Sequence, residues 1–168
     1  MAKTSTKPLE FIVASAEQAS KHVPEVPTLA IRIFATDITG RGKNMYPPFN
    51  PELYCQVYEY TFDDVDMPCE DKQMRKDFEA MNYKLFSRDI AKQIIADFKQ
   101  SHSYVSSVLV HCFAGVSRSP AVAQSLNKIF AIKYDFKQLF PNTNFYVYKT
   151  MIGAAREIGY KIGDKIKN

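Results

Sequence analysis

The chain has 168 residues, of which 46% are hydrophobic, 24% charged and 13% aromatic, enough for one compact domain and too few for two. Its 22 basic residues stand against 18 acidic ones, a net charge of +4 that suits an ordinary solvated surface, and no basic block with interleaved aromatics marks nucleic acid as a partner. The polar first ten residues lack a signal peptide's apolar stretch, and the apolar runs at 11–16 and 108–116 are too short to cross a membrane.

The three cysteines, Cys55, Cys69 and Cys112, have no CxxC spacing. That speaks against a disulfide framework or a metal site and for a reducing cytoplasm. Residues 1–8 read as a tail, and 9–168 as a single domain. A short strand is predicted at 11–14, followed by a helix to about Val23 opened by a capping box, Ser15 with Gln18. Residues 28–35 form an apolar, β-rich run, and 37–51, with two glycines and three prolines, a long loop. A strand follows at 53–62, then an acidic turn carrying Asp63, Asp64 and Asp66. Residues 70–100 are helical in composition with a break near Asn82, and 105–110 are a short strand. Helices are predicted at 118–132, near 136–140, and at 145–158. Strands alternating with helices predict an α/β fold, a central, mostly parallel sheet flanked by helices.

At the end of the 105–110 strand stands His111-Cys112-Phe113-Ala114-Gly115-Val116-Ser117-Arg118-Ser119-Pro120. A strand that stops, a short loop and a helix beginning near Arg118–Pro120 place backbone N–H groups around an anion. Gly115 permits a backbone conformation that a side chain would resist. Arg118 adds a planar fork that matches two phosphate oxygens. The positive potential at the base of such a loop favours thiolate over thiol, and Cys112 there is placed for in-line attack on phosphorus.

This decapeptide resembles the Cys-x5-Arg signature loop of the protein-tyrosine and dual-specificity phosphatases, in the form HCxAGxSRS. The resemblance covers roughly residues 53–155. It implies a single-domain dual-specificity-phosphatase-like fold and a phosphocysteine formed on Cys112. Arg118 would hold the phosphoryl group, and Ser119 would help the thiolate leave. His111 would orient the loop, and Phe113, Ala114, Gly115, Val116 and Ser117 would bind substrate mainly through backbone N–H groups. No cofactor and no metal are implied. The family places its general acid on a loop after an upstream strand; Asp64 fits that position, with Asp63 and Asp66 as competitors. The separation of Asp64 from Cys112 is longer than small family members use, which suggests an insertion at about 69–84, read as a solvated helix or a cover for the site. Downstream, Pro141-Asn142-Thr143-Asn144-Phe145 resembles the segment whose first asparagine, here Asn142, braces the signature loop.

The variable loop positions Phe113, Ala114, Val116 and Ser117 are uncharged, which favours a singly phosphorylated protein or peptide side chain over a polyanion. Phosphotyrosine is the expected substrate, with phosphoserine and phosphothreonine as further ones. Asn44-Met45-Tyr46 is placed to serve as an aromatic recognition loop. The alternatives are a phosphate-binding module without turnover and a phosphatase of a non-protein phosphoester.

Overall fold

The computed structural model describes residues 8–68 and 70–163. Most of the tail assigned to 1–8, residues 164–168 and Cys69 lie outside the described residues. Four strands form one sheet: β1 (Glu10–Ala14), β2 (Thr28–Phe34), β3 (Gln56–Thr61) and β4 (Ser107–His111). Their order is β1-β4-β2-β3 and every pairing is parallel. β4 is thus inserted between the first two strands of the chain, and the C-terminal ends of β1, β2 and β4 come together at one edge, where open α/β sheets bind their ligands.

Alternation along β4 sorts its side chains between two layers. Val108, Val110 and Cys112 belong to the main core, with Leu29, Ile31 and Ile33 of β2. Three helices cover this face: α3 (Arg88–Ser101), α4 (Arg118–Ile129) and α5 (Phe145–Glu157). Leu109 and Ala30 point the other way, where they meet Ala19 of α1 (Ala16–Lys21) and Tyr54. The capping box of α1 forms as predicted: Gln18 N–H donates to Ser15 Oγ at 3.1 Å and Ser15 N–H to Gln18 Oε1 at 2.8 Å.

The 70–100 region splits into α2 (Lys72–Ala80) and α3, with Asn82 at φ 64° between them. α2 has no buried residue. The whole excursion is pinned at its base by Asp63. Its N–H donates to Lys84 O at 2.7 Å, and its carboxylate accepts from Lys84 N–H and Thr36 N–H, each at 2.8 Å, and from the Thr36 hydroxyl.

Two expectations fail here. Residues 136–140 form no helix. Ala131 and Lys133 take positive φ, and Asn127 clamps the chain beyond them through Tyr134 N–H and Tyr134 O. The segment's rings then serve as packing, Phe136 against Phe11, Tyr134 and Phe140. Cys55 is not in the strand core. It is exposed and precedes β3. Its N–H bonds to Thr28 O, and Thr28 pairs with Ser107 whereas Arg32 pairs with His111. Cys55 therefore lies about five residues, roughly 16 Å, along the sheet from Cys112, beyond the reach of about 7 Å between Cα atoms for a disulfide.

Because Asp63 is buried and its carboxylate accepts from three donors, Asp63→Ala is expected to lower stability by on the order of 3 kcal/mol, leaving Thr36 and Lys84 N–H groups unsatisfied. Denaturant unfolding checks this; a loss below about 0.5 kcal/mol would mean the clasp is not structural.

Candidate active site

β4 ends at His111, and the loop 112–117 leads directly into α4. Gly115 is what lets that loop close. It has φ 75°, and a Cβ there would lie 2.5 Å from Ser15 N and 2.6 Å from the Ala14 carbonyl carbon. The loop thus rests on bare backbone where β1 passes into α1, and Ala16 N–H secures it by donating to Phe113 O at 3.0 Å. The curvature turns Gly115 N–H toward Cys112 Sγ, 3.2 Å away. Ser119 Oγ lies 3.2 Å from the same sulfur. Both groups are able to share a negative charge on it.

Cys112 is buried at the floor of a concavity of about 260 Å³ lined also by Phe113, Ala114, Ser117, Arg118 and Asp64. Arg118 is 4% exposed. Its Nη1 donates to Phe62 O at 2.8 Å, which fixes the guanidinium plane. Its Nε is buried with no hydrogen-bond partner among the described residues. A buried donor left unpaired beside a cysteine and a helix N-terminus is the signature of a site built for an anion. Val116 is 47% exposed and does not line the concavity.

His111 faces the opposite layer. Arg32 Nε donates to His111 Nε2 at 3.1 Å, so the ring proton is on Nδ1 and meets Cys112 O at 3.3 Å. Burial holds the imidazole neutral, with its pKa lowered to about 4, and the neighbouring Arg32 charge pushes the same way. Arg32 is itself held by Glu59 at 2.9 Å and by the Phe49 ring, 4.0 Å from guanidinium to centroid. His111 thus positions the cysteine's carbonyl through a proton on a defined nitrogen.

The three acidic candidates separate by what each one does. Asp63 is the buried clasp. Asp66 accepts from Tyr146 N–H at 3.0 Å, at the start of α5. Asp64 is the one that lines the concavity. Its Oδ1 accepts from Ser117 Oγ at 2.7 Å and from Asn144 Nδ2 at 2.8 Å. Its Oδ2 makes no such bond among the described residues.

The bracing role assigned to Asn142 belongs to Asn144. Asn142 is exposed and its side chain makes no hydrogen bond among the described residues. Asn144 is 1% exposed. Its N–H donates to Ser117 O at 3.1 Å, its Nδ2 also reaches Val65 O at 3.2 Å, and its Oδ1 caps α5 by accepting from Val147 N–H at 2.9 Å. One residue therefore joins the signature loop, through its backbone N–H, to the Asp64 loop and α5, through its side chain. Both asparagines stand in a cap-like context, and only the helix start at Phe145 distinguishes them.

Residues outside the motif also contribute. Ala35, Thr39 and Arg41 complete the wall, and the Arg41 guanidinium lies 5.2 Å from the centre of the Phe113 ring. Tyr46 does not line the concavity. Its hydroxyl donates to Ile33 O at 2.8 Å, and its ring supports Phe113 from 5.4 Å. The 72–80 helix contributes nothing to the wall, in keeping with a solvated helix and not a cover. Among the described residues no group of three His, Cys, Asp or Glu is placed to hold a metal ion, and no helix is long and apolar enough to cross a membrane.

The lowered His111 pKa has a defined sign. An unfolded histidine titrates near 6.5, so between about pH 6.5 and 4 the unfolded chain binds a proton that the folded one does not. Stability should fall with pH across that window, by up to about 3 kcal/mol from this group. His111→Asn, although less stable at neutral pH, is expected to show a shallower slope there in urea unfolding; an unchanged slope would contradict a buried neutral imidazole.

No protein-family model matches the sequence, and no curated protein matches it. Among solved structures, the crystal structure of Tk-PTP in the active form is similar over 92% of this chain and 82% of its own, with 11% identity and a TM-score of 0.43. A crystal structure of the human tyrosine phosphatase-like serine/threonine/tyrosine-interacting protein is similar over 92% of this chain and 83% of its own, with 17% identity and a TM-score of 0.41.

Proposed function

We propose that this chain is a cysteine-dependent phosphatase of the protein-tyrosine/dual-specificity type. It hydrolyses phosphotyrosine, and phosphoserine or phosphothreonine, in proteins or peptides. The observation that carries this reading is the convergence of the Cys112 sulfur, the unpartnered Arg118 Nε and the Asp64 carboxylate on one small concavity. A phosphate seated there would take the Arg118 donor and the N–H groups of the loop and the α4 N-terminus.

In the first step the Cys112 thiolate attacks phosphorus. The S–P bond forms as the P–O bond to the leaving group breaks, and protonated Asp64 gives its proton to the departing oxygen. Asp64 Oδ2 is the oxygen for this task, since Oδ1 is held by Ser117 and Asn144. In the second step Asp64 takes a proton from water, the resulting hydroxide attacks phosphorus, and the S–P bond breaks. Ser119 Oγ, 3.2 Å from the sulfur, donates to the thiolate as it leaves. Arg118 holds the equatorial oxygens throughout, where charge develops.

The uncharged side chains of Phe113, Ala114 and Ser117 on the wall support a single phosphate as ligand. Phe113, with Arg41 above it, offers a flank for an aryl ring. A mechanism that depends on a free thiol suits a reducing compartment.

Hydrolysis of a graded series of aryl and alkyl phosphates tests the reading. Cys112→Ser should abolish turnover while retaining phosphate-ester binding, and residual activity within about tenfold of wild type would rule out Cys112 as nucleophile. Asp64→Asn should slow substrates with poor leaving groups by about 10²–10⁴-fold and good ones far less. Asp66→Asn should show no such leaving-group dependence; finding it there would move the acid to Asp66.

A further inference from the structure

A second concavity lies away from the catalytic one. At about 630 Å³ against 260 Å³ it is the larger of the two, and it runs along α5 where that helix meets α3 and the start of the 70–84 excursion. Phe145, Lys149, Ile152 and Arg156 line it from one face of α5, the spacing of successive helical turns. Gly153 also lines it, in a helix interior where glycine is less favourable than alanine and where φ does not require it. A Cβ there would come only within 3.4 Å of Arg88 Nη2, so the missing side chain serves to leave the floor of the groove open.

The lining is cationic. Arg75, Arg88, Lys128, Lys149 and Arg156 stand against Glu70 and Asp89. Arg88 is paired with Glu157. Lys128 and Lys149 have no carboxylate partner among the described residues, and Lys149 Nζ rests 4.8 Å over the Phe145 ring. Phe145 is 52% exposed and stacks on Tyr148 at 6.3 Å, which gives the rim an apolar step. Tyr146, which lines the groove, also donates its N–H to Asp66 at 3.0 Å.

We infer that this groove docks an acidic peptide segment carrying an apolar anchor residue, presented by a protein that this chain engages outside its catalytic concavity. Charge complementarity names the occupant. Unpaired lysines call for carboxylates, the exposed aromatic step calls for an apolar side chain, and an open groove of this size takes a few side chains. The two carboxylates in the wall disfavour a nucleic-acid backbone, which is anionic at every step. The chain's own residues 164–168 carry two lysines and one aspartate, the wrong sign for the groove.

The test uses a fluorescein-labelled, unphosphorylated peptide of alternating glutamate and phenylalanine, followed by fluorescence anisotropy on the full chain with and without orthovanadate. Binding should survive vanadate. It should weaken at least about tenfold in the Lys128→Glu/Lys149→Glu double variant, and comparably in Gly153→Met, which fills the groove without altering charge. Lys137→Glu, on an exposed segment away from the groove, should bind as wild type does. The proposal is overturned if vanadate displaces the peptide, or if the double variant and Gly153→Met both bind as wild type does. It is equally overturned if a single-stranded oligonucleotide of equal charge binds more tightly, or if removing residues 164–168 is what first admits the peptide. The readout requires no turnover, so its outcome is separate from that of the phosphatase reading.

Discussion

The absence of a side chain at Gly115 is the constraint on which the cradle rests. Backbone of one strand end lies directly on backbone of another, with Ala14 and Ser15 under the loop, and no other residue fits that gap. From this contact follow the curvature of 112–117, the aim of Gly115 N–H at the sulfur, and the place where α4 begins. α4 is buried over most of its length, including Arg118 and Ser119, so the clamp and the hydroxyl share the rigidity of the core. Side chains so fixed need little reordering when a charged ligand arrives.

The acid side of the concavity is organised by a division of labour among three aspartates within four positions. Asp63 faces inward and closes the 64–83 excursion against Lys84 and Thr36. Asp66 holds the start of α5. Between these anchors Asp64 projects over the cradle, and Asn144 and Ser117 hold one of its oxygens. The Asp64 carboxylate is thereby held by protein contacts, and Asp63 joins the two ends of the insertion. Asn144 links the signature loop, Asp64 and the start of α5.

Local signals in the chain were legible where the chemistry is local. The capping box at Ser15, the strand-loop-helix around Cys112, the break at Asn82 and the four strands all depend on near neighbours in sequence. What could not be read were relations set by register or by caps. Arg32 reaches His111 because β2 and β4 pair at those residues, 79 positions apart. Asn142 and Asn144 differ only in which one precedes the first turn of α5. Cys55 looked like a strand residue because the alternation of 53–62 is good, yet a turn at Pro51–Leu53 delays the strand to Gln56. The aromatic run at 136–140 has helical composition, but positive φ at Ala131 and Lys133 and the Asn127 clamp send it across the core as packing. Arg41 enters the concavity from a loop whose path no motif specifies.

The central claim is that the Cys112 sulfur takes the phosphoryl group. The most direct measurement is a rapid acid quench of a single turnover with a radiolabelled aryl phosphate, followed by proteolysis and peptide mapping. The account requires label on the peptide containing Cys112, appearing together with the released phenol and decaying into free phosphate. Release of phenol with all label already in free phosphate, or label on any other residue, would contradict it.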